Sequence, residues 1–170
     1  EFTDAIGRGR EIDVRVDAPG ERWSVTLGLY DEKKMMAISA SAGNKSSADW
    51  QAGRFHLLDI SGAGYLGFDT GNVMMHVNGY QSWSNCGIVK LDSLKRNTSY
   101  WSTLFYAPDL YYSILIGFLT NSQATNSIRT GPMQIETGQF QLSFTSDLGS
   151  LLIPPGGEFR SDRVIVSFDS

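Results

Sequence analysis

The sequence contains only one cysteine, Cys86, among its 170 residues. No disulfide can form within the chain, which argues against a disulfide-stabilised scaffold but says little about the cellular compartment. The chain also lacks a basic cluster, because its net charge is −4 and its aromatic residues are not interleaved with Lys and Arg. Proteins that bind nucleic acid usually carry such a basic stripe, so nucleic acid is not an expected partner.

Long apolar runs are absent as well. The longest, YYSILIGFL at 111–119, is much shorter than the roughly 20 residues that span a bilayer, and its length suits a strand buried on both faces. We therefore expect no membrane partner. The N-terminal residues show no secretory or transit pattern. Two glycosylation sequons, at Asn44 and Asn97 in expected surface loops, favour secretion only slightly, so the sequence leaves the compartment open.

What the chain has instead is apolar residues at every second position, with turn-forming residues between the runs. This period places one face of each strand on a core and the other face in water. Pro19-Gly20, Thr137-Gly138 and 154–157 (PPGG) mark turns. About ten strands are indicated, and they predict an all-β fold: a large antiparallel two-sheet sandwich forming one domain over residues 1–170. The apolar members of the clearest runs are Ile12, Val14 and Val16; Trp23, Val25, Leu27 and Leu29; Phe140, Leu142 and Phe144; and Val164, Val166 and Phe168.

Helical patterns are nearly missing. Ile88, Leu91 and Leu94 have helical spacing, but the segment is long enough for only a turn or two. The surrounding stretch, 84–102, is interpreted as a long connection between the sheets, and connections of this length often carry function.

Each residue pattern that resembles a catalytic or cofactor site in this sequence lacks a partner or an element that the site requires. GAGYLG at 62–67 matches the dinucleotide-binding pattern, but FDTG follows where that site needs a helix N-terminus, so we interpret it as glycine-rich hairpin corners. His56 and His76 lack ligand partners at metal-binding spacing, and Cys86 lacks an oriented base. The acidic residues fall mainly on outward strand positions and turns. We therefore expect no catalytic residue, metal or cofactor within this chain.

One stretch combines large rings with small polar groups. In NGYQSWS at 78–84, Tyr80 and Trp83 stand beside Asn78, Gln81 and serines. A sugar presents an apolar C–H face that a ring can cover and a hydroxyl edge that amides can bind. Strand alternation puts Tyr80 and Trp83 on opposite faces, so at most one ring can plug the core. Contact with a carbohydrate and simple core packing are the two interpretations.

The stretch VMMHVNGYQSWS resembles the hallmark of the N-terminal β-supersandwich domain of α-galactosidases in glycoside hydrolase family 36. The downstream order is similar too: YWSTLFYAPDL, then ILIGFLT, then LLIPPGGEFRSDRVIVSF. The resemblance runs from about residue 72 to the end, while upstream of it only the strand character matches.

The resemblance implies a non-catalytic N-terminal domain that packs on a catalytic (β/α)8 barrel, with both catalytic aspartates beyond residue 170. This chain alone would then be inactive. The tryptophan of the Q-S-W triplet, Trp83 here, would contribute to the sugar-binding wall, with Tyr80 and Gln81 shaping or supporting the loop. Asn78 completes the set of predicted substrate-binding residues with these three. The expected partners are an α-galactoside or related carbohydrate and the barrel. The sequence does not determine which α-linked sugar is cleaved. It also does not distinguish a hydrolase from a transglycosylase.

Two other functions fit the same sequence. The chain could be an autonomous carbohydrate-binding module that holds sugar with Trp83 and its neighbours. Alternatively, it could be an oligomerisation domain, with the aromatic stretch YWSTLFYAPDLYY at 100–112 as the contact surface, since aromatic residues are enriched in interface cores. In the intact enzyme, a homo-oligomer is compatible with the first interpretation, the non-catalytic domain.

Overall fold

The computed structural model describes residues 1–65, 72–82, 84–91, 95–131 and 139–169, with the backbone alone at 61–65 and 139–140. Fourteen strands are found in these ranges, together with one short 3-10 turn at Pro108–Leu110. No helix in this part of the chain has the length and apolar character needed to cross a membrane. The strands are β1 Phe2–Thr3, β2 Arg8–Ala18, β3 Glu21–Tyr30, β4 Met35–Asn44, β5 Trp50–Tyr65, β6 Met74–Val77, β7 Gly87–Lys90, β8 Asn97–Tyr100, β9 Ser102–Ala107, β10 Tyr112–Phe118, β11 Thr125–Thr130, β12 Gln139–Ile153, β13 Glu158–Arg160 and β14 Val164–Asp169.

The strands form two antiparallel sheets of unequal size. The large sheet has ten strands in the order β1-β2-β3-β4-β14-β10-β9-β6-β7, with β13 paired beside β4. The small sheet has four, in the order β5-β12-β11-β8. The predicted all-β sandwich of two antiparallel sheets is therefore confirmed, and the difference in strand number means that the small sheet cannot cover the whole of the large one.

The core lies between the small sheet and the central strands of the large sheet. Phe105 of β9 and Ile116 of β10 face Ile128 of β11 and Phe144 of β12, and all four are almost completely buried. A second, smaller cluster forms on the outer face of the large sheet, where Tyr30, Ala37 and Ile165 pack with the partly buried residues Phe2, Ile6 and Met35.

The alternation predicts the wrong environment for β2 and β3. Their apolar residues share the inner face of the large sheet, as expected, but these two strands extend beyond the small sheet. Exposure rises along one row of paired residues, from 4% at Ile38 in β4 to 42% at Leu27 in β3 and 67% at Ile12 in β2. The predicted core face of β2 is therefore exposed. We call the uncovered face the set formed by Ile12, Val14, Val16, Trp23, Val25, Leu27 and Leu29.

The segment from 84 to 102 connects the sheets but is not a plain connection. It contains β7, at the edge of the large sheet, and β8, at the edge of the small sheet. Ile88 lies inside β7, so the helical spacing with Leu91 was misleading; Leu94 lies outside the described residues. Thr137-Gly138 also lies outside them.

Candidate functional site

Residues 78–82 and 84–86 belong to the hairpin loop between β6 and β7. The two strands pair up to Val77 and Gly87, and β7 is the last strand at its edge of the large sheet. The loop therefore projects from a corner of the sandwich. This position follows from the sequence, because an apolar strand ends directly before Asn78-Gly79, a pair of residues that favours turns.

Asn78 fastens the beginning of this loop to the adjoining strands. Its side-chain amide nitrogen donates to the carbonyl oxygen of Ser102 at 2.9 Å and to the hydroxyl of Ser102 at 2.8 Å. Its backbone nitrogen donates to Ser99 Oγ at 2.8 Å, and its carbonyl accepts from the backbone nitrogen of Tyr100 at 3.0 Å. Both amide hydrogens are thus used inside the protein, which gives Asn78 a supporting role in the loop.

Hydrogen bonds within the loop hold its remaining residues together. The backbone nitrogen of Ser84 donates to the carbonyl of Gln81 at 2.8 Å, and Ser84 Oγ accepts from the backbone nitrogen of Gln81 at 3.2 Å. The backbone nitrogen of Gly79 points at Cys86 Sγ, 3.2 Å away. A Cβ placed on Gly79 would lie 2.5 Å from Ser84 Cβ and 2.7 Å from the Ser84 carbonyl oxygen, so the turn leaves no space for a side chain there.

Tyr80 is the ring that this loop adds to an aromatic cluster. Its ring centroid lies 5.1 Å from that of Tyr100 and 6.0 Å from that of Trp101, and the latter two rings are 6.2 Å apart. We call these three residues the aromatic corner. Tyr80 is 41% exposed, whereas Tyr100 and Trp101 are half-buried. The Tyr80 ring therefore packs against the other two aromatic rings and presents part of its surface to solvent.

The backbone holds Trp101 in an unusual conformation. Its φ of 65° lies in the left-handed region, which non-glycine residues seldom adopt. Two hydrogen bonds keep it there: its nitrogen donates to the Asn126 carbonyl at 3.2 Å, and its carbonyl accepts from the Phe118 nitrogen at 2.7 Å. Neighbouring strands of both sheets thus determine where the indole sits. The sequence analysis places Tyr100 and Trp101 in the stretch that resembles the family and in a contact surface for oligomers, but not beside Tyr80, although their adjacency is a usable signal.

Two of the predicted site residues remain to be placed. Gln81 is exposed on the loop, next to Tyr80. Trp83 lies outside the described residues, so its predicted contact with sugar stays a prediction. The structure brings Asn78, Tyr80 and Gln81 together in one loop and adds Tyr100 and Trp101 to them.

The aromatic corner consists of two phenol rings and one indole ring. Its three rings provide apolar surface suited to the C–H face of a sugar, and the neighbouring amide and hydroxyl groups suit its edge. No group of three or more His, Cys, Asp or Glu that could hold a metal is found among the described residues.

A second concave region lies on the outer face of the large sheet. This groove of about 530 Å³ is lined by arginines and hydroxyl residues from β2, β3, β4 and the β13–β14 region. Each guanidinium is already paired: Arg15 with Asp13, Arg22 with Asp17, Arg160 with Glu158 and Arg163 with Asp4. We interpret the groove as a solvated ion-paired surface.

Asn44, the first sequon residue, is not in a surface loop. It is 1% exposed at the end of β4, and its amide nitrogen donates to the carbonyls of Ala48 and Ile153, at 2.8 Å each. Its amide oxygen accepts from the backbone nitrogen and hydroxyl of Ser46. A side chain used in this way cannot also carry a glycan in the folded protein. Asn97 is half-buried and donates to Thr130 Oγ1 at 3.3 Å.

The glycine motif at 62–67 begins inside a strand. Residues 62–65 belong to β5, and 66–67 lie outside the described residues. A strand conformation at the first two glycines differs from the turn into a helix that a pyrophosphate site requires.

Comparison with known proteins gives matches at the level of structure. No family model and no curated protein matches the sequence. The GH36 α-galactosidase AgaA from Geobacillus stearothermophilus matches with a TM-score of 0.64 and 13% identity, over 94% of this chain and 24% of that chain. The α-galactosidase from Lactobacillus brevis matches with a TM-score of 0.63 and 12% identity, over 99% of this chain and 24% of that chain.

A shorter protein also shares the fold. A galactose mutarotase related enzyme from Lactobacillus acidophilus matches with a TM-score of 0.56 and 9% identity, over 94% of this chain and 67% of that chain. This chain spans about a quarter of the length of the α-galactosidases it matches. Identities this low concern the fold alone. At that level they confirm the resemblance to the β-supersandwich domain of GH36 α-galactosidases.

Proposed function

We propose that this chain is the non-catalytic N-terminal domain of an α-galactosidase-like glycoside hydrolase. In this proposal it packs on a (β/α)8 barrel and lends aromatic residues of the 78–86 loop to the sugar-binding cleft. One observation carries the proposal: nearly the whole chain matches a quarter of each α-galactosidase, so a domain rather than an entire enzyme is being matched.

The loop geometry supports the part of the proposal that concerns sugar. Tyr80 is exposed at a corner of the sandwich, and its position is supported by Tyr100 and Trp101. A ring fixed in this way loses little conformational freedom when it covers a ligand. In the proposal Trp83 forms the wall itself, as the family resemblance implies, while Asn78 and Gln81 shape the loop.

The first test is the coding sequence beyond residue 170 together with an activity assay. We expect a barrel whose strands end in aspartates, and we expect the longer protein to cleave an aryl α-galactoside. The 170-residue chain alone should give no turnover, because the aromatic corner contains no acid–base pair. Turnover by the isolated chain would contradict the assignment of catalysis to another domain.

Substitutions in the longer protein test the aromatic wall. Trp83→Ala and Tyr80→Ala should each lower kcat/KM about 5- to 30-fold, which corresponds to losing about 1–2 kcal/mol of ring contact. Tyr111→Ala is the matched control, because this ring is exposed directly after the 3-10 turn and belongs to a different part of the surface. Equal effects of all three substitutions would argue against a specific role for the loop.

A second candidate is an autonomous carbohydrate-binding module, favoured by the fact that the aromatic corner is complete within this chain. Titration of the isolated chain with galactose and raffinose, followed by tryptophan fluorescence, should then show millimolar affinity, or about −4 kcal/mol. Tyr80→Ala should abolish the response and Tyr111→Ala should retain it. A flat titration for the native chain would exclude the module and favour the domain.

A further inference from the structure

We propose that a second copy of this chain covers the uncovered face, so that the β2–β3 hairpins of two copies pack face to face and antiparallel across a two-fold axis. This surface differs from the aromatic stretch 100–112, and the inference does not depend on the proposed function.

The uncovered face is a continuation of the hydrophobic core. Val14 pairs with Val25, which pairs with the buried Ala40, and Val16 pairs with Trp23, which pairs with the buried Ala42. Residues directly opposite in an antiparallel sheet point to the same side. The side chains of β2 and β3 therefore lie on the face that the small sheet covers farther along, beyond the edge strand β5.

This surface is unusually apolar for one exposed to water. Seven aliphatic and aromatic side chains, exposed by 36–67%, form a contiguous stripe on two adjacent strands. Such a set presents on the order of 600 Å² of apolar area, the upper end for the largest patch on an ordinary monomer. It also approaches the roughly 800 Å² that each partner contributes to a stable interface. A patch of this kind indicates a protein partner.

The stripe carries opposite charges at its two ends, and this arrangement favours a second copy of the chain as the partner. Arg10 shares the inner face with Ile12 at one end, and Glu21 shares it with Trp23 at the hairpin tip, where one carboxylate oxygen accepts from the Trp23 indole nitrogen at 2.5 Å. When two identical stripes pack antiparallel, each Arg10 meets the Glu21 of the other copy. A two-fold axis makes this contact occur twice, so the surface is complementary to itself.

The hairpin tip has space to receive the partner. A groove of about 610 Å³ lies between the tip and β5 and is lined by Trp23, Trp50, Phe55 and Phe159 among others. Trp23 forms one wall, stacked on Phe55 with ring centroids 6.0 Å apart. In the antiparallel arrangement this groove lies opposite the partner's Leu29, which is among the most exposed aliphatic residues of the stripe.

The oligomeric state of the isolated chain tests the proposal directly. Sedimentation at about 1–200 µM should show a concentration-dependent monomer–dimer equilibrium. Val14→Lys, in the centre of the stripe, should raise the dissociation constant at least 30-fold. Ile88→Lys is the matched control, because Ile88 is at least as exposed as Val14 but lies on β7 at the opposite edge of the sheet, and it should leave the equilibrium unchanged. Urea denaturation should find both variants folded.

Charge reversal tests the antiparallel arrangement. Arg10→Glu and Glu21→Arg should each weaken the dimer about 3- to 10-fold, and the double variant should return to within about 2-fold of the native dissociation constant. Non-specific adhesion of apolar surfaces would show no such recovery.

Three results would overturn the proposal: a chain that stays monomeric throughout this concentration range, a dimer that tolerates Val14→Lys but not Ile88→Lys, or single reversals that the double variant does not restore. A monomeric chain whose stripe becomes protected only within a longer protein would assign the surface to another domain instead. None of these results depends on α-galactosidase activity, so the two proposals fail separately.

Discussion

The side-chain amide of Asn78 donates two hydrogen bonds to one residue, Ser102, through that residue's carbonyl oxygen and its hydroxyl. The pair joins the start of the β6–β7 loop to the start of β9. Ser102 directly follows Trp101, so the same contact connects the two parts of the aromatic corner.

Replacing Asn78 should loosen this loop. Asn78→Ala leaves the partly buried carbonyl and hydroxyl of Ser102 without their amide donor, and the free energy of unfolding should fall by about 1–3 kcal/mol. Urea denaturation measures this. The control is Gln81→Ala, an exposed position in the same loop, which should change stability by less than about 0.5 kcal/mol. A neutral Asn78→Ala variant would contradict the supporting role.

Gly79→Ala should destabilise the same loop by a steric route. The new methyl group would lie within 3 Å of Ser84 backbone atoms, which cannot move aside as a flexible side chain can. We expect a loss of about 1–3 kcal/mol, the usual cost of overpacking. Gly53→Ala is the control, because its Cβ would meet only the Gly149 carbonyl oxygen, at an ordinary 3.8 Å. Equal melting temperatures for the two variants would disprove the steric argument.

Tyr30 and Asp4 link the N-terminal segment to the outer face of the large sheet. The Tyr30 hydroxyl donates to Asp4 Oδ2 at 2.7 Å, and Arg163 donates to the same oxygen at 2.7 Å. Burial, reinforced by the bond to Asp4, raises the pKa of Tyr30 to about 12. The hydrogen bond from Tyr30, together with backbone donors and Arg163, lowers the pKa of Asp4.

These shifts predict how stability depends on pH. The raised pKa of Tyr30 contributes stability that is complete below about pH 10 and is lost as the pH rises towards 12. The lowered pKa of Asp4 contributes stability that is present above about pH 4 and is lost as the pH falls through its folded value. In Tyr30→Phe, urea midpoints should therefore fall less steeply in both windows than in the native chain.

The exposed Tyr111 supplies the control for that experiment. Tyr111→Phe should keep the native pH profile, because its side chain is 83% exposed. A Tyr30→Phe profile that parallels the native one between pH 10 and 12 would show that Tyr30 does not cause the alkaline loss.

Asp162 is a buried carboxylate held by neutral donors from the β10–β11 loop and from β11. It accepts from the hydroxyl of Thr120, from Ser122 Oγ at 3.3 Å and from the amide of Asn126 at 2.7 Å. Asn126 in turn accepts from Ser146 Oγ at 2.6 Å, and its carbonyl receives the backbone nitrogen of Trp101. The network therefore extends to the aromatic corner.

Removing this carboxylate should cost more stability than any surface change. Asp162→Ala removes the 2.7 Å acceptor of the buried Asn126 amide, which keeps only the Thr120 carbonyl at 3.3 Å and Asn121 Oδ1 at 3.0 Å, and the free energy of unfolding should fall by about 1–3 kcal/mol. Asp59→Ala, at an exposed position of β5, should change it by less than about 0.5 kcal/mol. Similar denaturation midpoints for the two variants would contradict the network's importance.

The aromatic corner shows what sequence reasoning could and could not find. Tyr80 was identified from its own loop, because rings beside amides and hydroxyls form a local pattern. Its supports, Tyr100 and Trp101, follow about twenty residues later in the chain. They reach Tyr80 only because β9 pairs with β6 and places their segment beside the loop. Pairing between strands is not encoded in either local pattern, so the cluster required the structure.

Strand alternation by itself determined the all-β class, the positions of several strands and which residues share a face, because successive side chains of a strand point to opposite sides. It could not determine what lies over each face. Val164 and Val14 belong to equally regular runs, yet Val164 is completely buried and Val14 is 52% exposed. Only the tertiary structure decided between them, because the small sheet ends at its edge strand β5 and does not cover the apolar side of β2.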